Sequence, residues 1–299
     1  MPVDFTNLGG WVEDRAAVER VLESLPMPLF GAAAPHLFGL AMPKTTLLYK
    51  AFKEVIGSYP AYVAQKIGDC VSMGFGHGVD LLQCVEIAMG GEAEAFEYTS
   101  TEAVYGMARV DIGGGRLGNG DGAVGAWAAK AVSTIGTVSR KVAGEYSGER
   151  AKSWGRSGVP ADIKSQAGAH KVKTVSLVAS WEEAKVAIAN GYPVTICSDQ
   201  GFTMNRDANG FCRPSGSWNH CMLLCGFRED EHPGGFIFQS WGPDTPSGPL
   251  SLDQPGNTFC AETSVVDRMI RQGDSWALSA FDGYPGRPLP ASWTYDSMA

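Results

Sequence analysis

The order in which the sequence changes period constrains this chain more than any single motif. Its first half reads as helices, including VEDRAAVERVLESL, LLYKAFKEVIG near 47–57, VSMGFGHGVDLLQCVEIAMGG after Cys70 and AVGAWAAKAVSTIG. Gly90 and Gly91 stop the third of these, and TEAVYGMARVDI reads as helix or strand. Residues 145 to 170 are rich in Gly, Ser and Lys and mark a boundary. Beyond it come the strand-like runs VKTVSLV, YPVTICSD, NHCMLLCGF, GGFIFQSWG and WALSAFDGY. Only SWEEAKVAIANG interrupts them, as a helix with a capping box of Ser180 and Glu183 and a stop at Gly191. Helices first and strands afterwards predict an α+β fold with segregated halves.

Size and charge narrow the function. At 299 residues the chain can form two lobes around a shared cleft. A net charge of -8 without a basic cluster argues against a nucleic-acid partner. No apolar run reaches the roughly 18 residues a membrane span needs. MPVDFTNLGG lacks both the basic and the apolar region of a signal peptide, so a cytoplasmic protein is expected. Its seven cysteines are then expected as free thiols. Cys221 and Cys225, beside His220, would lie roughly 13 Å apart on one face of a strand, too far for one zinc. No metal or cofactor is expected.

Three stretches carry chemistry. In QKIGDCVS, Cys70 opens a helix, where unpaired N–H groups favour a thiolate; Asp69 beside it opposes ionisation. The same cysteine also reads as a small buried hydrophobe. His77 lies seven residues along that helix, about 10 Å of rise, and cannot reach the sulfur. His36, His170 and His232 read as loop residues, whereas His220 opens an apolar strand at the edge of a cleft, either as a base or as a structural residue. FQSWGP ends the next strand, with Gln239 able to accept from His220 and Trp241 able to shield that bond.

Together these stretches resemble the papain-like cysteine peptidases. Gln65 and Cys70 fit the Q-x-x-G-x-C spacing of the bleomycin-hydrolase branch; Asn219, His220 and CMLLCGF fit the histidine motif. Gln239, Ser240, Trp241 and Gly242 fit the motif that orients the histidine. GNGDGAVGAWAAKAV resembles the Gly-rich wall of the substrate cleft, which implies peptide binding at Gly120, Asp121 and Gly122. The resemblance covers roughly residues 50 to 285. It implies a two-lobe fold: a helical lobe over 46–160 carrying the nucleophile, and a β-barrel-like lobe over 161–299 carrying the histidine. Residues 1–45 are then an extension that blocks the cleft, docks elsewhere or is simply part of the fold.

The implied activity is hydrolysis of a protein or peptide by Cys70 and His220, with Gln65 at the oxyanion, Gln239 orienting the histidine and no cofactor. The compact, signal-less build also resembles bacteriophage-encoded members, which would place the chain in a cytoplasm or a virion. There are departures. Gln239 stands where the family has Asn, Val71 where it has Trp, and the family's C-x-G-G cysteine is absent. A papain fold that binds or scaffolds without hydrolysis is therefore the main alternative. A lesser one is a dinucleotide-binding turn at Gly113, Gly115 and Gly118.

Overall fold

The computed structural model describes residues 8–90, 96–169 and 172–296; the Gly91 stop and the His170 loop lie outside them. The N-terminal part holds α1 (Arg15–Leu22), α2 (Phe30–Ala33), the short strand β1 (Thr45–Leu47), α3 (Lys50–Ile56) and the long α4 (Cys70–Ala88). There follow α5 (Thr101–Gly106), a π-helical turn over Met107–Ile112, α6 (Gly125–Thr134), α7 (Arg140–Ala143), α8 (Gly148–Ser157) and α9 (Ala161–Lys164). The Gly-, Ser- and Lys-rich boundary is thus partly helical. The C-terminal part holds β2 (Thr174–Leu177), α10 (Trp181–Ala189), β3 (Val194–Phe202), β4 (Pro214–Arg228), β5 (Gly234–Phe238) and β6 (Thr258–Glu262). It closes with α11 (Thr263–Ile270), β7 (Ser275–Ser279) and β8 (Thr294–Tyr295).

The strands form one antiparallel sheet in the order β2-β7-β3-β4-β1-β8, with β5 and β6 branching from β4. The sheet does not close into a barrel, and helices with an antiparallel sheet form the expected α+β fold. It also excludes a dinucleotide-binding turn, because the run from Gly113 follows a π-helical turn and not a parallel strand.

Helix α4 is the spine on which the two parts meet. Sixteen of its 19 residues are buried, so its pattern lacks a polar face. Its glycines explain how so buried a helix fits. A Cβ on Gly74 would come within 2.8 Å of the Cys221 sulfur, and one on Gly78 within 2.8 Å of Leu278. Glycine lets the helix lie directly on β4 and β7, which outweighs a propensity cost of about 1 kcal/mol per residue. One apolar cluster joins α4 to α5, α6 and the inner residues of β4 and β7; a second joins the sheet to α10 and α11. The Ser180 hydroxyl caps α10 by accepting from the Glu183 N–H. The Glu183 carboxylate accepts from Ala179 N, one residue before the position a standard capping box uses.

Candidate active site

The site assembles where the start of α4 meets the middle of β4. Cys70 is the first residue of α4, and its sulfur lies 3.9 Å from the Asn219 carbonyl. His220 does not open its strand. β4 starts six residues earlier, at Pro214, and His220 is where its exposed half becomes its buried half. Burial changes there, and so does the pairing, since the register with β3 shifts between Ser198 and Gln200. Opposite Ser198 on β3, the His220 ring lies under Trp241, with centroids 4.6 Å apart and planes inclined by 31°. Trp218 in turn meets Trp241 edge-on at 4.6 Å.

Gln65 is stitched to the end of β5. Its N–H donates to the Ser240 carbonyl at 2.9 Å, and its Oε1 accepts from the Ser240 hydroxyl at 2.5 Å. Those two bonds fix the amide, whose Nε2 donates to the carbonyls of Ile67 and Leu8, each at 2.8 Å. Gln239 is less committed. Its Nε2 donates to the Thr245 carbonyl at 2.7 Å, whereas its buried Oε1 has no hydrogen-bond partner. Neither ring nitrogen of His220 has one either.

Gly120, Asp121 and Gly122 line the opposite wall. Arg109, buried behind them, donates to the carbonyls of Gly118, Gly120 and Gly122 and also to that of Gly155. The Tyr105 hydroxyl accepts from Gly122 N. Asp121 accepts weakly from Gly68 N at 3.4 Å and pairs with Lys152 at 3.9 Å. A single buried guanidinium thus shapes a glycine-rich loop with no regular structure of its own.

Across this site runs the segment Leu8–Val12. Gly10 N and Trp11 N both donate to the Asn219 carbonyl, at 2.7 and 2.9 Å. On the other wall Ala123 N donates to Gly10 O at 2.8 Å, and Val12 N donates to Ala123 O at 3.0 Å. Gly10 must be glycine, because a Cβ there would stand 2.0 Å from the Gly68 carbonyl oxygen. Trp11 buries its indole and donates from Nε1 to Asp274 Oδ2 at 2.9 Å. Cys70 and His220 are both 0% exposed under this cover.

Electrostatics follow from that burial. Desolvation, with a smaller contribution from the neighbouring Cys221 thiol, pushes the Cys70 thiol well above the usual range; the N–H groups of Cys221 and Gly10 pull the other way. Desolvation drives His220 down to about 3. Asp69 is raised to about 8, mainly by burial, with a Tyr146 hydroxyl on Oδ2 as the chief opposing influence. At neutral pH all three are therefore neutral in the covered state, and Asp69 does not oppose a thiolate as a full charge would. Its side chain makes no cap on α4.

The structure thus brings Cys70, the Asn219–His220 pair, Gln65, Trp241 and the 120–122 loop to one place. It forms no hydrogen bond from Gln239 to His220. Sequence reasoning offered a blocking role for residues 1–45 but did not single out Leu8–Val12, and it missed the Ser240–Gln65 clasp, Arg109 and Asp274. The glycine pair before Trp11 was the available signal for the first, since paired glycines beside a large aromatic residue suit close backbone approach. His77 is buried and stacked on Tyr62 at 3.9 Å, a core residue. His36 lies in a short 3-10 turn, and Cys221 and Cys225 are buried in β4. No described helix is long and apolar enough to cross a membrane.

No protein-family model and no curated protein matches the sequence. Solved structures do match in fold. Xylellain, a cysteine protease from Xylella fastidiosa, superposes with a TM-score of 0.64 at 15% identity, over 94% of this chain and 99% of that one. ProCathepsin B S9 from Trypanosoma congolense gives 0.60 at 11% identity, covering 94% and 88%. The Carica candamarcensis cysteine protease CMS1MS2, in complex with E-64, gives 0.53 at 16%, covering 80% and 99%. With an antiparallel sheet and a buried cysteine-led helix lying on it, this chain has the papain-like fold.

Proposed function

We propose that the chain is a cysteine peptidase whose resting state is covered by its own residues 8–12. The observation that carries this reading is the backbone in the cleft. Extended chain is held there by the Asn219 carbonyl on one wall, by both backbone groups of Ala123 on the other, and by the Gln65 amide on the Leu8 carbonyl. These groups recognise main chain, which every peptide carries. The Gln65 contact also models the required electrostatics, with an N–H donor aimed at a peptide carbonyl oxygen next to a thiol at a helix N-terminus.

Once the cover leaves, water reaches the site and the desolvation that keeps Cys70 and His220 neutral is relieved. The Cys70 proton passes to His220. The thiolate attacks the scissile carbonyl, and its oxyanion is held by Gln65 Nε2 and the Cys70 backbone N–H. His220 then protonates the leaving amine and activates water to release the acyl group. The unpartnered Gln239 Oε1 accepts from His220 in the charged pair, and Trp241 keeps water from that bond. Specificity of timing would come from the cover, which any substrate must displace.

A second reading, a papain fold without hydrolysis, is favoured by the absence of a Gln239–His220 bond and by the extra methylene of Gln239. The test is hydrolysis of a mixed peptide library by the full chain carrying Trp11→Ala, read by mass spectrometry. Cleavage that disappears on adding Cys70→Ala supports the peptidase; no Cys70-dependent cleavage supports the scaffold.

A further inference from the structure

The cysteines divide between the two apolar clusters. Cys84, Cys212, Cys225 and Cys260 lie in the one that joins the sheet to α10 and α11, whereas Cys70, Cys197 and Cys221 lie in the other. Of these last three, peptide hydrolysis uses Cys70 alone. Cys197 on β3 and Cys221 on β4 stand directly opposite each other, within the regular stretch of register from Val194 to Ser198. Directly opposite residues of an antiparallel pair have Cα atoms about 4.5 or 5.5 Å apart, and a disulfide needs about 4.4–6.8 Å. The two side chains share one cluster and hydrogen-bond each other. Cys221 also adjoins the nucleophile. Its N–H points at the Cys70 sulfur. Its own sulfur lies against α4 at Gly74, about one turn on from Cys70, where a Cβ would stand only 2.8 Å away. Glycine at 74 thus leaves room for a second sulfur beside the helix that carries the first. All three thiols are free and at most 1% exposed.

When Leu8–Val12 leaves the cleft, Cys197 and Cys221 stay packed between α4 and the sheet, so an oxidant meets Cys70 first. We infer that Cys221 and Cys197 form a thiol relay that takes oxidation by a peroxide off Cys70 and stores it as a Cys197–Cys221 disulfide. The relay rests on the peptidase reading only for a reactive Cys70 thiolate. That thiolate attacks one peroxide oxygen; the O–O bond breaks, Cys70 becomes a sulfenic acid, and the departing hydroxide takes the proton held by His220 and leaves as water. The Cys221 sulfur then attacks the Cys70 sulfur. An S–S bond forms, the S–O bond breaks, and the hydroxyl leaves as water with the Cys221 proton. Cys197 attacks the Cys221 sulfur in turn, and Cys70 departs as a thiol with the Cys197 proton. Two thiols have become one disulfide, and one peroxide has become two waters. Without a resolving thiol, the sulfenic acid goes on to sulfinic acid, which is irreversible.

The test follows the oxidation from sulfur to sulfur. The full chain carrying Trp11→Ala is treated with hydrogen peroxide, remaining thiols are blocked with iodoacetamide, and unreduced peptides are mapped by mass spectrometry. If Trp11→Ala does not fold, Trp11→Phe takes its place. The expected product links Cys197 to Cys221, with Cys70 recovered as an alkylated thiol. Adding Cys197→Ala should trap a Cys70–Cys221 disulfide. Adding Cys221→Ala should let Cys70 be lost as sulfinic acid; Cys221→Ser serves if the alanine variant does not fold, since a hydroxyl cannot resolve a sulfenic acid. Absence of both disulfides, or loss of Cys70 at the same rate in all three proteins, overturns the inference. So does a Cys197–Cys221 disulfide that forms equally fast with Cys70→Ala, which would mean that peroxide reaches the strand pair directly. Cleavage of the peptide library by unoxidised Trp11→Ala is scored separately. The disulfide pattern without Cys70-dependent cleavage leaves the relay standing and removes the peptidase. Cleavage without either disulfide does the reverse.

Discussion

If Leu8–Val12 is the cover, Trp11 is its anchor, and Trp11→Ala should expose Cys70 without unfolding the chain. The magnitude follows from burial. An indole removes about 200 Å² from water, worth about 5 kcal/mol at ~25 cal/mol per Å², and its bond to a carboxylate adds about 1.5–3 kcal/mol. Truncations of buried tryptophan to alanine cost about 3–5 kcal/mol in practice. Taking about 4 kcal/mol, and allowing part of it to fall on the folded state at large, the open population should rise at least about 100-fold. The assay is the rate of iodoacetamide alkylation at each cysteine, read by peptide mass spectrometry. Cys70 should accelerate by that factor, whereas Cys84 and Cys225, buried in the other apolar cluster, should not. Equal acceleration of all three would mean that the whole chain had opened. An unchanged Cys70 rate would mean that the cover is not held by Trp11, and either result refutes the reasoning.

Two further outcomes follow. Asp69, raised to about 8 by burial, binds its proton more tightly folded than unfolded; its contribution is therefore intact near pH 4 and is lost as pH rises towards 8. Asp69→Asn should leave thermal stability unchanged near pH 4 and raise it by about 2–4 kcal/mol at pH 8, measured by calorimetry; a pH-independent difference would contradict the shift. In the Trp11→Ala background, Gln239→Ala should depress peptide turnover by roughly 10-fold or more with little loss of melting temperature, and unchanged turnover would remove Gln239 from the mechanism.

Much of the fold was legible because it depends on local periods and stops. The helix from Cys70, the Ser180 cap and the runs that became β3, β4, β5 and β7 are all written in neighbouring residues. The order of Gln65, Cys70, His220 and Gln239 was legible for a different reason, since a motif keeps its spacing when the rest of the sequence has diverged. What stayed hidden depends on contacts across the chain. Trp11 and Asp274 are 263 residues apart and carry no shared pattern. Arg109 looks like any surface arginine until its guanidinium is found among four carbonyls. The start of β4 at Pro214 was missed because its first residues are polar and glycine-containing, and pairing with β3, not burial, keeps them extended. An open sheet and a barrel-like one differ only in which strands meet, and strand composition does not record that.

The most direct test of the central claim is the pH profile of Cys70 alkylation in Trp11→Ala, with and without His220→Ala, from about pH 4 to 9. The account predicts rapid reaction well below the ordinary thiol value of about 8.5, and loss of that low-pH reactivity when His220 is removed. A Cys70 that titrates near 8.5 in both proteins would show that no thiolate–imidazolium pair forms, and that the fold serves another purpose.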